Sequence, residues 1–464
     1  MSADEAKPLR ENTIWPWLQV IGMGFVGMGG ILSILGMVGN YVPVVCGAAP
    51  NLDAPAFTPD QIPQFVLMMT FYAIGMLLVQ FVAGHIWLKV KTPILMFVCF
   101  TVPMICLALM GTYTQLWQWW LSFFIIGIFG GCIYMLAGAN ILFNWFAKNV
   151  AVSMSIAAVL SGIGQAVLSP IHQFFIAEFG WRMAYPMGAA LGCLLGLPWI
   201  IFVLRFRPED KGVRPYGWKP GTVKLTAGDV DSPGASIKKS LLSVTFIAMF
   251  IGMGLMALFG GYQNLWGSFA IEFSVGPEGQ HWWGDIDPLV VSSYMISATG
   301  LFNLVMPLLG LVIDKIGAAY ASFIILVIQI LAALGMLYLH SSWVALVIFV
   351  FLFADINGIM LGTGGILIRS IFGARNFTKI NSYFQIAVGG VGGFGAPVIG
   401  MVAVAAGTYT ATLWMAIGLC LVIGLLFIIA FLFAKKVVWE DGTIPNPWAK
   451  YAPAVAAVEE GAAE

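Results

Sequence analysis

Apolar runs of about twenty residues follow one another along nearly the whole chain, and any fold must accommodate them. Backbone buried in such material has to satisfy its own N–H and C=O groups. In lipid, only helices and closed barrels do this. The runs are continuous and far longer than the roughly ten-residue alternating segments of a membrane barrel, so they read as helices. Composition agrees: charged residues are 9% and mean hydropathy is +0.93, whereas soluble domains carry roughly a quarter charged residues. With about twenty residues needed per crossing, the sequence predicts twelve spans: 15–45, 63–83, 94–113, 117–143, 150–176, 183–204, 241–268, 289–313, 319–339, 343–368, 380–404 and 411–434.

The longest polar stretch, 207–240, separates the sixth span from the seventh. It divides the chain into an N-terminal bundle (1–206), a linker (207–240), a C-terminal bundle (241–436) and a tail (437–464). The tail is short and reads as disordered. The first apolar run is too long for a signal-peptide core. Gly47-Ala48-Ala49 imitates a cleavage site, but the segment is expected to be a retained first helix. Placing the N-terminus in the cytoplasm puts twenty of the 21 Lys and Arg residues on that side, Arg182 being the exception. The positive-inside rule therefore predicts a multi-pass protein of the inner or plasma membrane with both termini cytoplasmic. Zero net charge argues against a nucleic-acid partner. The six cysteines show no metal-ligand spacing, and no glycine run joins a strand to a helix. No cofactor or metal is expected, and no His/Asp/Glu cluster proposes an enzyme.

The halves repeat. Gly84 matches Gly310 and Phe146 matches Phe372 at one and the same sequence offset. After a one-residue slip, Asn149 matches Asn376, Gly162 matches Gly389 and Pro170 matches Pro397, again at a constant offset. Parallel six-helix repeats in a twelve-helix chain mark one transporter architecture.

On these features the chain resembles the major facilitator superfamily over essentially its full length. Gly310-Leu-Val-Ile-Asp314-Lys315-Ile-Gly317 matches the superfamily's cytoplasmic gating motif. The N-half copy keeps Gly84 and Lys89 but has Leu88 in place of the acid and Lys91 in place of the second glycine. Within the superfamily it is similar to the monocarboxylate-transporter and oxalate–formate-antiporter branch. The carriers of that likeness are Asn144-Trp-Phe-Ala-Lys148 leading into Ser161-Gly-Ile-Gly164, Phe179-Gly-Trp-Arg182, and Arg207-Pro-Glu-Asp-Lys-Gly-Val-Arg-Pro-Tyr-Gly217. The resemblance implies an all-α polytopic fold of two pseudo-symmetric six-helix bundles. It also implies secondary active transport of a small organic solute, a carboxylate or related metabolite, by symport or antiport with an ion such as H+, in a monomer embedded in the lipid bilayer. The branch's anion carriers place a basic residue within helix one, eight or eleven. Here spans one and eight have none, and span eleven has only Lys379 at its mouth. The anion-binding chemistry is therefore not inherited, leaving uptake or efflux of a neutral, aromatic or cationic compound as the alternative. A membrane sensor that has lost transport is a remote one.

One charge stands out. Asp355 lies twelve residues past Trp343, about 18 Å down the tenth span and near the midplane. A carboxylate there costs about 2.5–3.5 kcal/mol on insertion scales. Such acids mark ion or proton routes, so Asp355 is the candidate for coupling. Its repeat counterpart is Phe129, and Asn357 points to a different face. The seventh span offers Gly260-Gly-Tyr-Gln-Asn-Leu-Trp266, a polar interruption in which Tyr262, Gln263 and Asn264 cannot all face one cavity. Tyr134, Gln165, Tyr294, Asn303, Tyr383 and Gln385 complete the substrate candidates, each also fitting a plain interhelical hydrogen bond. His172, just after Pro170, reads as interfacial. Arg182 reads as an anchor or gate residue held by Glu178 four residues earlier. Trp117, Trp119, Trp120, Trp282 and Trp283 read as interfacial belts.

Overall fold

The computed structural model describes residues 14–30, 34–89, 92–131, 138–146, 150–205, 208–217, 234–305 without 277, 315–354, and 364–448 without 366, 374, 438, 441, 443 and 447. Backbone alone is described at 80–89, 92, 138–140, 143, 150–151, 209–210 and 377–378. Asp355, Asn357, Tyr134, Gly310 and Asp314 lie outside the described residues.

Twelve helical spans can be followed. Seven helices are long and apolar enough to cross a membrane, one of which folds back to give two spans, and four shorter apolar helices complete the set. They are α1 (Ile14–Gly29, then Val38–Val45), α2 (Ile62–Val66, then Met68–Lys89), α3 (Thr92–Leu109) and α4 (Leu116–Gly131, then Gly138–Trp145). Next come α5 and α6, the two arms of Val150–Pro198. The second half has α7 (Val244–Ala257, a 3₁₀ stretch Leu258–Leu265, then Trp266–Phe273), α8 (Pro288–Leu301), α9 (Ala318–Leu339), α10 (Trp343–Phe353), α11 (Phe377–Gly392, then Gly395–Ala406) and α12 (Thr410–Phe433). The side of the molecule carrying Ile14 and the end of α12 is called the terminal face here, and the opposite side the distal face.

Two expected boundaries change. The first span is not one helix, because the helical course turns at Gly36–Met37 before resuming at Val38. No loop separates the fifth and sixth spans. The two arms follow directly on one another over 49 residues, which as one straight helix would measure about 73 Å and could not fit a core of about 30 Å. One glycine solves this: Gly180 takes φ 80° and ψ 159°, and the chain doubles back so that Gly188 of α6 meets the His172 ring of α5.

That reversal explains the Gly-Trp-Arg element. Asn51 Oδ1 accepts from the Trp181 amide at 3.1 Å and Asp53 Oδ2 from the Arg182 amide at 2.8 Å, capping the start of α6. Arg182 does anchor this corner, but not through Glu178: Nη1 donates to the carbonyls of Gly111 (3.1 Å) and Tyr113 (3.4 Å) at the end of α3. The C-terminal half repeats the device. Gly407 turns with φ 71°, and Glu272 accepts from the Tyr409 amide at 2.8 Å and from the Thr408 hydroxyl. Arg182 and Tyr409, whose amides the two carboxylates serve, stand at the repeat offset of the halves.

Helices within a half approach through glycine, as the small-residue pattern expects. A Cβ on Gly75 or Gly127 would lie 2.3 Å and 2.2 Å from backbone oxygens across the α2–α4 contact. Two of the belt tryptophans belong to the interior instead. Trp119 is fully buried among Phe57, Phe65 and Tyr113, and buried Trp283 donates to the His340 carbonyl at 2.9 Å.

On the terminal face, each half is closed by the segment that follows its sixth helix. The Tyr216 amide donates to the Trp145 carbonyl at 2.8 Å, and its ring meets Trp17 and Phe146. In the second half the Trp439 indole donates to the Ile371 carbonyl at 2.9 Å. The two accepting residues, Trp145 and Ile371, share the offset of Phe146 and Phe372. The far end of the linker joins the same place: the Ala235 amide donates to the Phe372 carbonyl at 2.9 Å, and Gly234 accepts from the Glu440 amide at 3.1 Å. Arg375 pairs with Glu440, and Trp448 stacks on Phe323. The beginning of the tail is therefore docked rather than disordered.

Candidate functional site

The site is built where the halves meet. Along α5, one face presents Gly162, Gln165, Ala166 and Ser169, three or four residues apart and so aligned on a helix. Antiparallel to it, α8 presents Gly300, Thr299, Ser297 and Ser293. Gly162 and Gly300 let the backbones touch, a Cβ on either falling within 2.8 Å of the other's carbonyl oxygen. One turn on, Gln165 Nε2 donates to Thr299 Oγ1 at 3.1 Å, and Ser297 Oγ donates to the Ala166 carbonyl at 2.7 Å. A further turn on, Ser169 Oγ donates to the Ser293 carbonyl at 3.0 Å. Asn40 of α1 closes the end, donating to Ser169 at 3.2 Å.

The other contacts between halves lie at the same level or farther toward the distal face. Gly39 of α1 packs on the Gln263 carbonyl of α7, and Gly267 on the Gly39 carbonyl. Thr70 of α2 donates to the Gly393 carbonyl of α11 at 2.7 Å, with Gly400 against Pro63 and Gly389 against Leu77. Among the described residues, contacts between the halves extend from the distal end to Gly162–Asn303 and Gly389–Leu77. Hydrogen bonds and glycine contacts among these residues join the halves on the distal side.

The interruption expected in the seventh span is present as the 3₁₀ stretch Leu258–Leu265. Eight residues is long for a conformation that seldom exceeds three or four. It lies against a second break, in α11 at Gly393–Phe394: a Cβ on Gly261 would fall 2.2 Å from the Ala396 nitrogen, and one on Gly395 2.5 Å from the Leu258 carbonyl. Paired interrupted helices midway through a transporter are where solutes are commonly held.

The three polar residues of the break separate as helical spacing demands. Tyr262 turns inward among Phe259, Trp266 and Phe353, its hydroxyl donating to the Thr412 carbonyl of α12. Gln263 is half-buried beside α1, and Asn264 is buried. Tyr262→Phe is expected to cost about 1 kcal/mol through the lost hydrogen bond and to leave solute affinity unchanged. Thermal unfolding and a binding isotherm check the two halves of that statement.

The remaining candidates disperse. Gln165 lies in the seam between halves, as above. Asn303 donates to the Gly300 carbonyl at 3.1 Å and rests on Gly162. Tyr294 is exposed beside Trp343, and Tyr383 is exposed on α11 with Gln385 half-buried. Gly84 and Lys89 fall on the last turns of α2, Lys315 is exposed, and Gly317 begins α9 with φ 91°. His172 is not interfacial: it is fully buried, with Nδ1 3.0 Å from the Tyr41 hydroxyl. Sequence reasoning misses Asn40, Ser169, Ser293, Ser297 and Thr299. Their signal is the small-polar spacing of Gly162/Ala166/Ser169 against Ser293/Ser297/Gly300.

Electrostatically this seam is neutral. The Arg375–Glu440 ion pair lies away from it, exposed on the terminal face.

No curated protein matches the chain. Among solved structures it is similar to a mutant of the nucleoside transporter NupG, with TM-score 0.65 and 16% identity over 90% of this chain and 100% of that one. It is also similar to a POT family transporter, PepTSo (0.60, 13%, over 91% and 98%). A third likeness is to a bacterial homologue of the human lysosomal transporter Spinster, in an inward-facing, unoccupied conformation (0.58, 13%, over 91% and 96%). At these identities the likeness is one of fold. None of these neighbours supports the monocarboxylate or oxalate–formate branch. The model of the Major Facilitator Superfamily matches residues 58–360, well over half the chain. With twelve helices in two repeated bundles, the chain belongs to the Major Facilitator Superfamily and has the fold of a membrane transporter, not that of an enzyme.

Proposed function

We propose that the protein is a secondary transporter that moves a small, uncharged polar or aromatic solute by alternating access, coupled to protons. The observation that carries this reading is the hydrogen-bonded distal seam that joins the halves among the described residues. The charge bias of the sequence makes the terminal face cytoplasmic, so the conformation is inward-facing. The bundles are taken as 1–206 and 241–436, joined by 207–240, with 437–464 as tail. The groups around the paired breaks are amides, hydroxyls, backbone carbonyls and rings. The spans that hold a cation in the branch's anion carriers lack one, which favours a neutral solute over the carboxylate implied by the resemblance. A similar structure is that of a nucleoside transporter, a solute class of that character.

The test is a thermal-shift panel of nucleosides, dipeptides, monocarboxylates and organic cations on purified protein. Compounds that shift the melt are then followed by counterflow in proteoliposomes. Exchange confined to monocarboxylates would overturn the neutral-solute reading, and exchange of no compound by folded protein would overturn transport itself.

Proton coupling is assigned to Asp355. Asp355→Asn, which keeps the shape of the side chain and removes its titration, is expected to abolish accumulation driven by a pH gradient, and so to change the pH profile of uptake, while counterflow at fixed pH continues. A pH profile identical to the parent's removes Asp355 from the coupling step.

A further inference from the structure

His172 has a place in the fold that structural packing alone does not require. It stands on α5, one turn below Ile176, whose carbonyl accepts from Asn51 of the distal connection at 3.0 Å. At about 1.5 Å per residue it is about 6 Å beneath the distal layer. The ring is fully buried, sharing a hydrogen with the Tyr41 hydroxyl at Nδ1 and packing against Gly188 of α6. Its Nε2 is buried and has no hydrogen-bond partner. Such an atom is a donor or acceptor held out of water at a cost. A phenylalanine would fill the same space without that cost.

Its neighbours tie it to the seam. Tyr41 follows Asn40, and His172 is one helical turn from Ser169. Asn40 and Ser169 are bonded to each other, and Ser169 reaches Ser293 in the opposite half. The titratable groups facing the ring from the packed helices are Tyr41 of α1 and, stacked on it at 4.1 Å, Tyr185 of α6, with Cys46 farther along α1. Among the described residues no carboxylate joins them. The charged residues of this corner, Asp53 and Arg182, are engaged at the first turn of α6.

We propose that His172 is a proton-binding site that controls the distal gate. With the seam shut, an imidazolium here would face only phenol hydroxyls and apolar surface, without counter-charge or water. A proton therefore binds preferentially when α1 moves away from the seam and water reaches the ring. By linkage, protonation then favours the distal-open state. Acid opens the distal side and alkali returns it to the closed arrangement described above. This rests on the alternating-access reading, and it places a second titratable group in the N-terminal half, separate from Asp355.

The experiment uses full-length protein in nanodiscs, with its native cysteines replaced by alanine and spin labels on Leu52→Cys and Ile286→Cys, exposed distal positions in opposite halves. Distance distributions are recorded from about pH 5 to about pH 8, the range over which histidine titrates. In the parent, the ratio of long to short distances is expected to rise by up to about tenfold per pH unit on acidification, the limit for one proton. His172→Gln is expected to flatten that response while the melting profile stays cooperative. Tyr41→Phe, which changes only the partner of Nδ1, is expected to displace its midpoint, and it serves if His172→Gln does not fold. A parent without pH response, or a response unchanged in both variants, overturns the proposal. A response that survives His172→Gln but disappears in Asp355→Asn overturns it while leaving the coupling reading intact. A protein that shows a single distance under every condition sinks alternating access as well.

Discussion

Gly267→Leu is expected to hold the distal side open. A Cβ at this position would fall 2.4 Å from the Gly39 carbonyl and 2.4 Å from Pro43 Cγ, both on α1 in the other half. Backbone cannot yield as a flexible side chain would, so the added side chain is tolerated only if α1 and α7 separate. Overpacking costs about 1–3 kcal/mol, and here the cost applies to the distal-closed state alone. That differential shifts the population about 5–150-fold toward distal-open. A cysteine at Ser293, buried in the seam, reports it: a membrane-impermeant maleimide should modify Ser293→Cys slowly in the parent and far faster beside Gly267→Leu. Equal rates would mean that the α1–α7 contact does not control access.

The second large effect contrasts two glycines at equivalent places in the repeat. Gly180 has φ 80° and ψ 159°, a region occupied almost only by glycine, where another residue costs about 1–3 kcal/mol. A Cβ there would also fall 2.3 Å from Asp53 Oδ2, dislodging a cap worth about 0.5–2 kcal/mol. Gly407 has φ 71° and ψ 11°, ordinary left-handed backbone, with nothing within 4 Å of where a Cβ would stand. Gly407→Ala is expected to cost about 1–2 kcal/mol. Gly180→Ala should therefore lower the apparent unfolding temperature clearly more than Gly407→Ala. Equal losses would show that the carboxylate cap of α6 contributes nothing beyond backbone geometry.

These two positions show what is legible in the sequence. Spans, repeat and the break in α7 follow from hydropathy and glycine spacing, which are local or strictly periodic. The paired caps escape that reading. The capped amides of Arg182 and Tyr409 keep the repeat offset, but the carboxylates of Asp53 and Glu272 stand closer together in the chain than that offset. Each half supplies its cap from a different segment. Glu178 resembles a partner for Arg182 because residues four apart meet on a continuous helix. Gly180 lies between them and destroys the register. His172 reads as interfacial because it is near the end of its span. Its burial comes from α6 folding back over it through Gly188, a contact that hydropathy does not encode. The seam of α5 and α8 is half visible, its small residues evident but their partners not.

The docked ends of the linker set where force enters the molecule. Tyr216 is fastened to the end of α4 at Trp145 before the chain crosses between halves, and Ala235 to Phe372, ahead of α11, after it has crossed. Tension along the crossing segment therefore bypasses the ends of α6 and α7, to which the linker is covalently joined. It is delivered instead to the connections that carry the terminal-face ends of α4 and α5 in one bundle and of α10 and α11 in the other. In the proposed transport cycle, these docked ends make Trp145 and Phe372 the points at which the linker holds the two bundles.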